Sequence, residues 1–380
     1  MAGIYIHIPF CKQACSYCDF YFLTSQQHIP EFVDAILSEI ENRELPDYAQ
    51  KVETLYFGGG TPSLLSPAQL FMIIDALETR FDISNLSEFT VEVNPDDVTP
   101  GYIQALMDVG VTRVSMGIQS FQPELLEFMH RAHTKEEAHR SLEVIANSNL
   151  PSFTVDLIYG NPGQTEQQLE DDLEQILSYN PPHVSAYSLT LEPKTRLGKQ
   201  FELGRLTPAD DEMVARHMQI VESRLAERGL IRYEISNYAK PGYEAIHNAN
   251  YWQHKTYLGF GPSAHSFEWD GESPVAKRSA NIRNFKMYST GKFEDPDAKE
   301  VLTEQELAEE YILLTLRTRK GTHLKKLEEV YSYRFNDKQL TLIDYLRKEA
   351  YISQDPELLS LTSKGMTIAD ELTTKIIAAG

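Results

Sequence analysis

Gly3-Ile4-Tyr5-Ile6-His7-Ile8-Pro9-Phe10-Cys11-Lys12-Gln13-Ala14-Cys15-Ser16-Tyr17-Cys18 lies at the head of this 380-residue chain and decides how the rest is read. An apolar run leads into a loop with three cysteines spaced C-x3-C-x2-C, and these are all the cysteines in the sequence. Thiolates at this spacing can wrap three corners of a cubane iron–sulfur cluster, which needs four thiolates to close. One iron then stays open to an exchangeable small molecule, so Cys11, Cys15 and Cys18 point to chemistry rather than to a structural staple. A zinc site completed by a histidine is the blander alternative. Nothing else in the chain has the spacing of a zinc knuckle.

Outward from that loop, the composition is that of an ordinary globular protein, with 42% hydrophobic residues and a mean hydropathy of −0.37. The length suits two domains, or one large domain with an appendix. No apolar run approaches the ~20 residues that span a bilayer. The N-terminus shows no basic stretch or signal-like core, so a cytoplasmic, reducing compartment is expected. A net charge of −21 argues against a nucleic-acid duplex as partner and against a polybasic membrane anchor.

Strand-like runs at Ile4–Ile8, Thr54–Phe57, Phe89–Val93, Arg113–Ile118, Thr154–Ile158 and Val184–Leu191 alternate with helical patterns. The helical patterns fall at Glu31–Glu44, Pro67–Arg80, Gly101–Val109, Lys135–Ala146 and Glu166–Tyr179. Such alternation implies an α/β fold with a parallel sheet. Six units are too few for a closed eight-stranded barrel, so an open, partial (β/α)6 barrel is expected. Polar motifs follow the C-terminal ends of successive strands: the cysteines, Gly58-Gly59-Gly60-Thr61-Pro62, Glu92-Val93-Asn94-Pro95, Gln119, Asp156 and Ser188. In barrel enzymes that edge carries the active site.

Each motif has a job and a bland counterpart. The triple glycine lets backbone approach a ligand closely, although a lone glycine run is more often a turn. Glu92 ends a strand with a carboxylate suited to a pair of hydroxyls, or is a surface charge. Arg131 is a carboxylate clamp or a solvated cation. Asp156 interrupts the apolar strand Phe153-Thr154-Val155-Asp156-Leu157-Ile158, and a buried carboxylate needs partners.

Taken together, the cysteine spacing and the strand-end motifs resemble the radical S-adenosylmethionine (SAM) superfamily over residues 1–235. That resemblance implies a 4Fe-4S cluster whose open iron is chelated by the amino and carboxylate groups of SAM. It implies Gly59, Gly60 and Thr61 beside the methionine amino group, Glu92 at the ribose, and Gln119 and Arg131 at the carboxylate. Contacts from Tyr5, Tyr17, Asp156 and, more weakly, Ala186 are implied as well.

Within the superfamily, Tyr5-Ile6-His7-Ile8-Pro9-Phe10-Cys11 and Asp156-Leu157-Ile158-Tyr159-Gly160 resemble a branch holding oxygen-independent coproporphyrinogen III dehydrogenase and a paralogous heme chaperone. The dehydrogenase carries one more cysteine two residues past the triplet; here that position is Phe20. It also has an N-terminal extension of roughly fifty residues, and this chain starts four residues before Tyr5. The stretch His247-Asn248-Ala249-Asn250-Tyr251-Trp252 matches the H-N-x-x-Y-W motif of the chaperone branch. There His247 is implied as an axial heme ligand, with His254 and His265 as candidate second ligands. By local chemistry alone, His247 reads equally as a buried turn residue before an aromatic cluster.

The last fifth carries helical patterns at Glu304–Thr318, Leu324–Tyr331 and Asp337–Glu349, then a strand and tight turn at Leu359–Gly365. This reads as a mainly helical, winged-helix-like lid. The expected organisation is 1–235 for the partial barrel, 236–295 as a connecting segment with the heme motif, and 296–380 for the C-terminal domain. The expected function is a heme chaperone that passes heme to acceptor hemoproteins, among them membrane respiratory enzymes, from a cytoplasmic protein with peripheral membrane contact. The cluster and SAM would be regulatory and favour a homodimer. The rival is a radical enzyme that decarboxylates a porphyrinogen.

Overall fold

The computed structural model describes residues 1–380, the side chain of Asp47 excepted. Parallel strands β1 (Ala2–Ile8), β2 (Val52–Gly59), β3 (Glu88–Val93), β4 (Arg113–Gln119), β5 (Ser152–Tyr159) and β6 (His183–Ser188) pair in sequence order. Between them run helices α1 (Ile29–Asn42), α2 (Pro67–Glu78), α3 (Pro100–Asp108), α4 (Pro123–Phe128), α5 (Lys135–Ala146) and α6 (Glu166–Ser178). Ser66, Thr134 and Thr165 start α2, α5 and α6 with reciprocal capping boxes to Gln69, Glu137 and Gln168. Each such cap stabilises its helix by about 1 kcal/mol and fixes where the chain turns back to the sheet.

The alternating β1 sequence separates two environments. Ile4, Ile6 and Ile8 are fully buried in the main apolar core, packed with residues of α1 and α2 such as Phe32, Ile36 and Ile73. Tyr5 and His7 point the other way, into the barrel interior. That interior is polar, with Thr54 and Tyr56 on β2, Glu92 on β3, Arg113 and Ser115 on β4, and Asp156 on β5. Apolar-out, polar-in strands are what a ligand-holding bore needs, and an all-apolar parallel sheet would not provide them.

The six parallel strands form the centre of a larger open sheet, which the reading of six units did not anticipate. Twelve strands join in the order β12-β11-β10-β9-β1-β2-β3-β4-β5-β6-β8-β7. After helices α7 (Arg196–Glu202) and α8 (Asp211–Ala226) come strands β7 (Ile231–Arg232) and β8 (Asn237–Ala239); β8 pairs antiparallel with β6, and β7 antiparallel with β8 at the edge. Helix α9 (Ile246–Trp252) follows. Then β9 (Tyr257–Phe260) pairs parallel with β1, and β10 (His265–Glu268), β11 (Ala276–Ala280) and β12 (Glu300–Leu302) extend that edge antiparallel. Short helix α10 (Phe285–Tyr288) lies between β11 and β12.

Residues beyond 302 build a second apolar core, centred on Leu307, Tyr311, Ile312, Leu327, Ile343, Leu372 and Ile376. It is made by α11 (Glu304–Leu316), α12 (Leu324–Tyr331), α13 (Asp337–Lys348), α14 (Ser363–Met366) and α15 (Ala369–Ala378). Phe267 and Trp269 at the end of β10 belong to this core and tie it to the sheet. The expected strand and tight turn at Leu359–Gly365 differs in detail. Strand β14 (Leu358–Leu359) pairs antiparallel with β13 (Thr322–His323), and the chain then turns into α14. The hydroxyl of Thr362 caps the Gly365 N–H, which makes that turn a helix start.

Candidate functional site at the strand C-termini

The cysteine loop is fixed by its backbone and its neighbours, not by its thiols. Cys11 N–H donates to Leu23 O at 2.9 Å and Ser16 N–H to Met129 O at 3.0 Å. His130 Nδ1 lies 2.8 Å from Ala14 O. The Lys12 ammonium pairs with Asp96 at 2.6 Å and also with Asp97, which ties the loop to the segment after β3. Burial pushes the Cys11 thiol up to about 11 and the Cys18 thiol up to about 12. Thiolates there need a positive metal centre to offset desolvation, and metal binding would release their protons.

Facing the loop is a cavity of about 480 Å³, walled by Cys11, Cys15, Tyr17, Cys18, Gly59, Gly60, Thr61, Glu92, Gln119, Arg131 and Asp156. The strand ends therefore converge as the order of motifs implied. At Gly60 a Cβ would sit 2.6 Å from both Ile8 O and Phe10 O, and at Gly59, with φ +101°, it would meet the His7 ring. Only glycine lets this turn lie flat beside the loop. Glu92 accepts from Tyr56 Oη at 2.7 Å and from Gly59 N–H at 3.1 Å. Burial nevertheless pushes its carboxyl up to about 7. Asp156, pushed to about 6 by burial, accepts from Ser115 Oγ at 3.2 Å.

Arg131 crosses beneath the loop. Its Nη2 donates to Gly117 O at 2.7 Å and Asn94 Oδ1 at 2.9 Å, and Nη1 approaches Cys15 Sγ at 3.4 Å. Its Nε and the Oε1 of Gln119 are buried without a protein partner. Gln119 itself sits at φ +66°, where the β4–β5 register slips. A non-glycine residue in this conformation costs about 1 kcal/mol or more, and such strain gathers where a side chain must be aimed. Three thiols, a flat glycine cradle and two residues with orphaned polar atoms, all walling one cavity, suit a cluster and an amino-acid-bearing ligand. Among the described residues no three His, Cys, Asp or Glu side chains converge on a single ion. A cubane does not ask for that convergence, since each thiolate binds its own iron.

Tyr5, Ala186 and His247 are not on the cavity wall. Tyr5 lies one layer below, its hydroxyl 3.2 Å from His7 Nδ1 and its ring stacked on Tyr56 at 6.0 Å. Ala186 is buried in β6 opposite Leu157. His247 lies at the other end of the bore, 2% exposed. Its Nδ1 meets Thr54 Oγ1 at 2.8 Å and its Nε2 meets Tyr251 Oη at 2.8 Å. Helix α9 plugs the barrel floor because the Glu88 carboxylate receives the N–H groups of Ile246 at 2.9 Å and His247 at 3.0 Å. His254 is enclosed by Phe267, Trp269 and Tyr331 and bonds to Tyr331 Oη and Glu310. His265 is exposed.

Sequence reasoning missed Asn94 and Tyr56 as partners of Arg131 and Glu92. Asn94 stood in a motif already singled out, whereas Tyr56 had no signal beyond strand alternation. Lys12, Asp96 and Asp97 were missed as well, since no motif singles them out.

The Radical SAM superfamily model matches residues 5–176 and that of the HemN C-terminal domain matches residues 302–368. The fold is thus that of a radical SAM protein. The solved structure of coproporphyrinogen III oxidase from Escherichia coli superposes with a TM-score of 0.82 over 99% of this chain and 89% of that one, at 23% identity. The heme chaperone HemW of Bacillus subtilis is 35% identical over 379 residues, 98% of each chain. That of Lactococcus lactis is 32% identical over 98% of this chain and 96% of its own. The chain belongs to the HemW family.

Proposed function

We propose that this protein is a heme chaperone that binds heme and passes it to acceptor hemoproteins. The observation that carries the reading is the end-to-end likeness to proteins named heme chaperone HemW, with no large part of either chain left over. In this reading Cys11, Cys15 and Cys18 hold a 4Fe-4S cluster and the rim holds SAM. When bound, the cluster offers SAM an open iron and one-electron chemistry. The Gly59–Gly60 turn leaves room for the amino end of SAM, and Arg131 and Gln119 face its carboxylate. Glu92, oriented by Tyr56 and Gly59, accepts from the ribose hydroxyls, and Asp156 closes the far wall. Tyr17 lines the adenine side through its backbone, and Tyr5 and Ala186 support the site from the layer behind.

For His247 we retain a ligand role only in an opened state, since both ring nitrogens are satisfied while α9 fills the barrel floor. Membrane respiratory enzymes as acceptors, a cytoplasmic location and a homodimer belong to the same proposal. Among the described residues no helix is long and apolar enough to cross a membrane, so any membrane contact would be peripheral.

Heme titration of the anaerobically reconstituted protein, followed by mixing with an apo-hemoprotein, tests the reading. Saturable one-to-one binding and transfer are expected; no saturable Soret change would overturn it. The complete rim favours a second reading, a radical enzyme acting on a tetrapyrrole. Phe20, 62% exposed at the cavity mouth, counts against it, because a phenyl ring can neither ligate nor carry a proton. Stoichiometric 5′-deoxyadenosine with a decarboxylated tetrapyrrole would decide for the enzyme.

A further inference from the structure

We propose that Asn94 sets how readily a cluster held by Cys11, Cys15 and Cys18 takes up an electron, by aiming one hydrogen-bond donor at each of two of the three thiolates. The proposal rests on the cluster reading above and is independent of heme.

Asn94 follows the last residue of β3 and lines the same cavity as Glu92, two positions earlier, as strand alternation requires. The two ends of its amide are not interchangeable. A guanidinium carries donors only, so the amide oxygen must face Arg131, whose Nη2 donates to it at 2.9 Å. The amide nitrogen is thereby turned to the glycine turn after β2, where it donates to Thr61 Oγ1 at 3.1 Å.

Each of these partners stands against a different cysteine. Arg131 Nη1 donates to Cys15 Sγ at 3.4 Å. Thr61 is 4% exposed, and its N–H donates to Phe10 O at 2.6 Å, which seats it beside Cys11. Because Asn94 engages the Thr61 oxygen as an acceptor, the hydroxyl proton is left for the Cys11 sulfur. Burial raises the Cys11 thiol most, and the hydrogen bond from Thr61 pulls it back toward the thiolate. One path of contacts therefore runs from Cys11 through Thr61, Asn94 and Arg131 to Cys15. Cys18 is served differently: burial raises it too, and its donor is the backbone N–H of Phe20.

Asn94 is braced from behind. Its N–H donates to Ser63 Oγ at 3.2 Å, and Ser63 Oγ donates to Asp97 at 2.7 Å. Asp97 pairs with Lys12, between the first two cysteines. The two arms differ in how much they depend on Asn94. Arg131 Nη2 also donates to Gly117 O at 2.7 Å and keeps that anchor without Asn94. Thr61 has no such second anchor for its hydroxyl among the described residues, so the Cys11 arm carries the larger effect.

Hydrogen bonds to the sulfurs are among the features that set the potential of an iron–sulfur cluster. A donor draws charge off the thiolate and favours the reduced form, which carries one more negative charge. Asn94 touches no cysteine itself. It is a positioning residue, and its loss should lower the potential while leaving all three ligands in place.

Redox titration of anaerobically reconstituted wild type, Asn94→Ala, Thr61→Val and the double variant tests this, with iron content measured in each. Asn94→Ala should retain its iron and be about tenfold harder to reduce, a shift of about 59 mV for a one-electron couple. Thr61→Val should shift in the same direction. In the Thr61→Val background Asn94→Ala should add less than it does alone, because the Cys11 arm is already gone. Asn94→Leu, close to asparagine in size, repeats the measurement if Asn94→Ala folds poorly. An unchanged potential at full iron content, or shifts that simply add, overturns the proposal. Loss of iron from both Asn94 variants makes the residue structural and overturns it as well. A wild-type protein that takes up no cluster removes the cluster reading itself, and this proposal with it.

Discussion

The rings of Tyr56 and His247 stack inside the barrel with centroids 4.9 Å apart. Through the Tyr56 hydroxyl, which donates to Glu92 at 2.7 Å, the floor of the bore is in contact with the rim. One tyrosine therefore touches both the H-N-x-x-Y-W helix and a carboxylate of the proposed SAM site.

Replacing Tyr56 by Phe keeps the stack but removes a donor from Glu92. Hydrogen bonds to charged groups contribute roughly 1.5–3 kcal/mol. SAM affinity, measured by calorimetry on reconstituted protein, should fall about tenfold or more. Unchanged affinity would remove Glu92 from the ribose contact.

Single Cys11→Ser, Cys15→Ser or Cys18→Ser variants should lose the broad absorption near about 400 nm and most of the bound iron. Their circular dichroism should remain that of the wild type, because the loop is held by Leu23, Met129 and His130 rather than by thiols. A brown protein with any one cysteine missing would contradict the assignment of three ligands.

Helix α9 depends on a buried ion pair. Glu88 meets Arg113 Nε at 3.0 Å, and Arg113 Nη2 donates to Tyr243 O at 2.7 Å. Truncation by Glu88→Ala leaves Arg113 buried and two helix N–H groups unpaired, at a cost of about 3–5 kcal/mol. Hydrogen exchange should accelerate first in residues 243–252. Uniform acceleration across the barrel would show that Glu88 does not act through α9.

Glu234, 1% exposed, is pushed up by burial to about 7 from its ordinary 4.5. Between those values the folded state holds a proton that the unfolded chain releases. The stabilisation is thus complete below pH 4.5 and is lost as pH rises through 7, by at most ~1.4 kcal/mol per pH unit. Glu234→Gln cannot ionise. It should be more stable than wild type at pH 8, with the advantage shrinking toward acid; denaturant midpoints at both ends check it, and a pH-independent difference would reject it.

Much of this was legible without coordinates. Lys135–Ala146 and Leu324–Tyr331 have the bounds their periodicity predicts, the first set by its Thr134–Glu137 capping box and both by their apolar spacing. The flank strands β9 to β12 were not read. Tyr257-Leu258-Gly259-Phe260 is short and glycine-bearing, and it becomes a strand by pairing with β1, some 250 residues earlier.

The sequence by itself determined the cluster loop, the order of strand-end motifs and the alternation that makes the bore polar, because cysteine spacing, glycine turns and period-two patterning are local properties. Only the tertiary structure decided which histidine is free. His247, in the H-N-x-x-Y-W motif, and His265 are eighteen residues apart, and the sequence does not show which of them is buried. Glu88, Thr54 and Tyr56 draw the first into the floor of the barrel, and the second is left exposed at the start of β10. Burial of a side chain is a property of distant partners, and those partners meet only when the sheet has formed.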